Sequence, residues 1–233
     1  MWNEKAFVKF VFGGRTMNKM FLASVTLGLT VMASSCLAQV IEKVENYKQN
    51  EIKIPQVVDI DAQAAKRIND YIVKKIASEP KKFIDKHGAE GGTAWLYTNV
   101  IRDDDKYLSL RIASASYFKG AVHPNAYVFG VVFDKRTGKQ LPIEYFVKMM
   151  PAEHLEYCVR NKVFGFYTYG DKPLELEGSS HITYVSKQYT LDRNDNLDLY
   201  YQQYELGAYA IGSPYIRLGK EYVDNNGNVL PKG

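Results

Sequence analysis

The stretch Ala126-Tyr127-Val128-Phe129-Gly130-Val131-Val132-Phe133, followed by Asp134-Lys135-Arg136-Thr137-Gly138-Lys139-Gln140-Leu141, decides the fold. Tyr127, Phe129, Val131 and Phe133 fall on alternate positions, the period of a strand with an apolar face. The six residues from Asp134 to Lys139 are polar and include Gly138, which can take the positive φ of a hairpin turn. The chain then resumes as strand through Leu141. A strand that returns through so short a turn pairs antiparallel with itself.

Working upstream, Leu108, Leu110 and Ile112 alternate with Ser109 and Arg111, which predicts a half-buried strand. Asp103-Asp104-Asp105 reads as the turn before it, and Thr93 to Ile101, with Trp95, Tyr97 and Val100, as a further strand. Gly91 and Gly92 mark a loop. Before them, Ala64, Ile68, Ile72 and Ile76 form one apolar helical stripe behind a capping Asp61. Pro80 is expected to interrupt that helix, leaving Ser78 at its end. Lys81 to Lys86 add another turn, stopped by Gly88. Tyr47 to Val58 is extended, broken by Pro55.

Downstream, Pro151 suits the first position of a helix carrying Leu155, Cys158 and Val159 on one face. Cys158 reads there as a small apolar core residue. Residues 170–180 look like loop. His181 to Leu191 and Leu197 to Tyr204 are expected to form a hairpin around Asp192–Asn196. Tyr204 to Leu218 reads as a strand end, a Gly-punctuated loop and a short closing strand, and Asp224-Asn225-Asn226-Gly227 as a final turn. The order of elements favours an α+β fold: an antiparallel sheet with a few packed helices in a single compact domain.

The first 38 residues read differently. Lys19, the apolar run Phe21 to Met32 and the small residues to Ala38 have the order of a secretory signal peptide over 17–38, with 1–16 an over-long start and 39–233 the exported domain. Cleavage after Ala38 would free a protein beginning at Gln39. Alternatively, Cys36 ends a loose lipoprotein box and carries a lipid anchor. The expected place is the periplasm, or the cell envelope through that lipid. The apolar run is short of the about 20 residues that span a bilayer, and charges interrupt every later one, so no transmembrane helix is expected. Residues 1–38 carry four Lys or Arg against one Glu, and thus most of the net charge of +4. The exported part is close to neutral, which gives no sign of a nucleic-acid partner. Without Cys36, Cys158 has no cysteine to pair with.

Catalytic patterns are weak. Ser78-Glu79-Pro80-Lys81 matches a Ser-x-x-Lys motif, but needs its serine at a helix start. Asp192, Asn194 and Asn196 match three calcium-loop positions, but Leu197 and Gln203 stand where Gly and Glu belong. His87, His123, His154 and His181 have no metal-ligand spacing. No metal or cofactor is expected. The 18 tyrosines crowd toward the C-terminus at Tyr200, Tyr201, Tyr204, Tyr209 and Tyr215, a composition that suits glycan or protein contact as well as strands.

Three ordered motifs carry a family resemblance. Phe118-Lys119-Gly120-Ala121-Val122-His123-Pro124, then Phe133 to Leu141, then Tyr204-Glu205-Leu206-Gly207-Ala208-Tyr209-Ala210-Ile211-Gly212 resemble the signature segments of the RsiV-like extracellular domain family. Ile68-Asn69-x-x-Ile72 resembles its first helix, and the likeness spans roughly residues 48–220. Departures fall at Ala121, Val122 and Gly207-Ala208. Members of that family include the outer domain of a lysozyme-sensing anti-sigma factor and modules attached to peptidoglycan deacetylases. The resemblance implies an exported, non-enzymatic envelope binding domain whose candidate ligand is lysozyme or peptidoglycan. His123, Pro124, Tyr204, Glu205 and Tyr209 are expected to form one ligand-binding region. A cell-wall glycan hydrolase using Glu205 or Asp198 beside His123, and a structural envelope lipoprotein, are the alternatives.

Overall fold

A computed structural model describes residues 37–220. The expected leader through Cys36 and the turn at 224–227 lie outside the described residues. The centre is an antiparallel sheet of β3 (Thr93–Asp103), β4 (Tyr107–Tyr117), β5 (Asn125–Asp134) and β6 (Gln140–Leu141), in that order. One face is covered by a hairpin of β1 (Gln39–Tyr47) with β2 (Asn50–Val58), by α1 (Ala62–Tyr71) and by α2 (Ser78–His87). The other is covered by α3 (Ala152–Arg160) and a second antiparallel sheet. That sheet has the order β7 (Gly165–Tyr167), β10 (Tyr215–Leu218), β9 (Leu197–Tyr200), β8 (Tyr189–Leu191). The fold is α+β in one compact domain, as the sequence predicts. Among the described residues, no helix is long and apolar enough to cross a membrane.

The helix face forms as its stripe requires. Asp61 accepts from the amides of Gln63 and Ala64 at 3.0 and 2.9 Å, capping α1. Ala64, Ile68, Ile72 and Ile76 are all buried, and the three isoleucines pack in one cluster with Leu108, Leu110, Ile112, Val131 and Phe133 of the sheet. Asn69 clips α1 to β2: its Oδ1 accepts from the Val57 amide at 2.8 Å, and its Nδ2 donates to the Val57 carbonyl at 3.0 Å.

Four local expectations change. The helix break precedes Pro80: a π-helical turn at Ile72–Ile76 ends at Ala77, and Ser78 opens α2 instead of ending α1. Pro80 falls in the first turn of α2, where a missing N–H costs little. Pro55 does not break its strand, because it lies within β2 opposite Glu42 in a two-stranded ribbon that tolerates it. β4 is covered on both faces: Ser109 is buried and its Oγ accepts from the Leu191 amide at 3.0 Å. The C-terminal hairpin is shorter than expected, since residues 181–188 are irregular and β9 ends at Tyr200.

Two glycines set how closely the layers meet. A Cβ on Gly130 would stand 2.6 Å from the Tyr189 backbone, so β8 rests directly on β5. Gly138, at φ 68°, turns the β5–β6 hairpin, and its Cβ would stand 2.3 Å from the Ala64 carbonyl oxygen. Arg67 donates to the Thr137 carbonyl at 2.8 Å from the same helix. The Thr137-Gly138 motif is thus the seat on which α1 rests.

Candidate functional site

The β4–β5 connection runs from Phe118 to Pro124. It turns through Gly120, at φ 95°, with the Ala121 amide donating to the Phe118 carbonyl at 3.1 Å. Val122 beyond the turn is 97 % exposed. His123 follows, half-buried, and its ring meets the segment after β9. The His123 and Tyr209 rings are stacked, 3.7 Å between centroids at 22°. The Tyr204 hydroxyl lies 2.9 Å from His123 Nε2, and the Tyr209 hydroxyl donates to the Pro124 carbonyl at 3.0 Å. Thus His123 and Pro124 share one edge of the molecule with Tyr204 and Tyr209, through contacts that span 81 and 85 residues of sequence.

Tyr204 is not a strand end. It occupies a turn after β9 at φ 69°, a left-handed conformation that costs a tyrosine about 1–2 kcal/mol. Its ring is 59 % exposed. The turn holds it there: the Glu205 amide donates to the Gln202 carbonyl at 3.2 Å, and the Gln202 amide donates to Glu205 Oε2 at 2.7 Å. Glu205 also accepts from the Tyr184 hydroxyl at 2.6 Å. Its carboxylate therefore closes the turn that presents Tyr204, and its partners are Tyr184 and Gln202. Partial burial, then the Glu205 carboxylate, pushes the Tyr184 phenol well above its ordinary range.

Gln202 and Gln203, which sequence reading missed, fix this turn to the sheet. Gln202 Oε1 accepts from the Val128 amide at 2.8 Å and its Nε2 donates to the Val128 carbonyl at 2.9 Å. Gln203 Oε1 accepts from the Ala126 amide at 2.9 Å. Beside β6, these amide side chains take the place of a neighbouring strand along the start of β5. The adjacent Gln-Gln shortly after β9 was the available signal, because a primary amide offers a backbone edge a donor and an acceptor on separate atoms.

The other chemical candidates are occupied by structure. Asp198 is 4 % exposed and makes a bidentate pair with Arg217 across β9 and β10, at 2.7 and 2.8 Å. Burial pushes its carboxyl up against the pull of Arg217, while the carboxylate pushes the guanidinium up. Ser78 does stand at a helix start, but Lys81 Nζ is bound to Glu45 at 2.5 Å. Asp192 Oδ1 accepts from the amides of Asn194 and Asn196, which makes this segment a polar hairpin turn. Arg102 ties the same turn to β3 through Asp195 at 2.6 Å. Cys158 is buried in α3, and burial pushes its thiol up.

No family model matches this chain, and no curated protein matches it in sequence. Solved structures resemble it in fold. One is a DUF3298-family protein from Bacteroides fragilis, 16 % identical, with a TM-score of 0.57 over 82 % of this chain and 94 % of that one. Another is a DUF3298-family protein from Pseudomonas aeruginosa, 15 % identical, with a TM-score of 0.51 over 84 % of this chain and 96 % of that one. The chain shares the fold of these proteins, whose family is a domain of unknown function.

Proposed function

We propose that this protein is an exported, non-enzymatic binding domain of the cell envelope, and that the His123–Tyr209 edge is its ligand contact. The observation that carries the reading is Tyr204. Its ring is mostly exposed in a strained backbone conformation, and Glu205, Gln202 and Gln203 hold the turn in place. Holding an exposed aromatic rigidly at about 1–2 kcal/mol of strain serves presentation better than packing. Rigid tyrosines give contact area at small entropic cost.

The resemblance to RsiV-like domains supplies the candidate ligands, lysozyme or peptidoglycan, and the leader-like first 38 residues supply the compartment. β1 begins at Gln39, the residue that follows the expected cleavage point. A hydrolase is disfavoured by the two carboxylates it would use: Glu205 closes a turn and Asp198 is committed to Arg217. A lipid on Cys36 would change the anchor and leave the binding edge as it is.

The test is binding by the purified protein to lysozyme in a calorimeter and to insoluble peptidoglycan by co-sedimentation. The reading expects saturable binding to one of them, lost in Tyr209→Ala. Folded protein that binds neither contradicts it.

A further inference from the structure

A groove of about 430 Å³ lies on the helix side of the sheet, between α2 and the ends of β4 and β5. It borders the His123 loop at both of that loop's ends, through Phe118 and Asn125. One wall is aromatic: His87 stacks on Phe118 at 5.3 Å and 14°, and tilts against Phe83 at 4.9 Å. Tyr127, 47 % exposed, also lines the groove, with Ser114 and Ser116. Among the described residues, the side chains of Ser114, Ser116 and Asn125 have no hydrogen-bond partner. Lys82 and Lys86 also contribute. Lys82 is held by Glu79 at 2.6 Å, whereas Lys86 has no carboxylate partner among the described residues.

These features combine into one chemistry. Aromatic faces receive the apolar C–H face of a pyranose, unpaired hydroxyls and an amide receive its hydroxyl or acetamido groups, and a free ammonium receives an acid. The volume falls within the roughly 300–1,000 Å³ of small-molecule sites. We propose that this groove binds a saccharide bearing a carboxylate, with Tyr127 and Phe118 stacking on the ring and Lys86 meeting the acid. The envelope reading supplies the source of such a saccharide; the groove's side chains supply its chemistry.

N-acetylglucosamine and N-acetylmuramic acid differ by one carboxylate-bearing ether, so they probe both parts of the site. Each would be titrated into the ¹⁵N-labelled protein and followed by amide shifts. The expected result is saturable movement of Ser114, Ser116, Phe118 and Asn125 with both sugars, and tighter binding of the acid. Lys86→Met should erase the difference between the sugars, and Tyr127→Ala should weaken both by about fivefold or more. Tyr127 is exposed enough to be removed without opening the core, and an unchanged melting temperature checks this. No saturable shift with either sugar, or shifts indifferent to Tyr127→Ala, would overturn the proposal. A silent groove beside lysozyme binding lost in Tyr209→Ala removes the groove alone. Sugar shifts without lysozyme binding, and with any peptidoglycan binding unchanged by Tyr209→Ala, remove the His123 edge alone.

Discussion

His123 lies flat against Tyr209, 3.7 Å between ring centroids, and this contact joins the β4–β5 loop to the segment after β9. Tyr204 closes over it through His123 Nε2. Two sequence motifs that no local rule connects thus become one exposed aromatic edge.

Tyr204→Gly separates presentation from packing. Glycine relieves the positive φ, a gain of about 1 kcal/mol, and the lost hydrogen bond to His123 is solvent-exposed and worth about as much or less. Thermal unfolding should therefore show a melting temperature unchanged or raised, while ligand binding is lost. A marked drop in stability would mean that Tyr204 is architectural.

Gly130→Ala should be among the most damaging single-methyl changes in the molecule. Its Cβ would meet the Tyr189 backbone at 2.6 Å, and two packed sheets cannot separate locally. The expected loss is about 3 kcal/mol or more by urea denaturation. Gly138→Ala should behave alike, because it adds a strained φ to a contact with Ala64.

Glu156 should make the domain acid-sensitive. Partial burial opposes its charge, but the Ile182 amide, Arg160 and His181 together hold its carboxyl below the ordinary range. A depressed carboxylate stabilises above its unfolded pKa of about 4.3, and that stability is lost as pH falls through the folded value. Glu156→Gln should lower the melting temperature at pH 7, and the gap from wild type should close as the pH falls below about 4.

Cys158 should resist thiol reagents in the native protein and react on unfolding. It is buried in α3, and burial pushes its thiol up, so little thiolate is available. Stoichiometric modification in native buffer would contradict its place in the core.

The parts of the fold visible in sequence are those governed by local pattern. The stripe from Ala64 to Ile76, the cap at Asp61 and the Asp134–Lys139 turn each follow from spacing and backbone preference. What escaped depends on partners far along the chain. Ser109 and Arg111 look like a solvent face until the second sheet covers it, and Gly130 is an ordinary strand glycine until β8 arrives. Lys135 reads as a turn charge, yet it is buried against Asp103 at 2.5 Å, joining two turns. At the candidate site, His123, Pro124, Tyr204 and Tyr209 were legible as motif residues. The role of Glu205 as a turn clasp, and that of Gln202 and Gln203, required the register of β5.

The most direct test is a calorimetric titration of the purified protein with lysozyme and, in parallel, with soluble peptidoglycan fragments, comparing wild type with Tyr209→Ala. Wild type should bind one of the two saturably, and at least about tenfold more tightly than a variant that still melts cooperatively. Wild type that binds neither, or a variant that binds as tightly as wild type, would contradict the claim that the His123–Tyr209 edge is a binding surface.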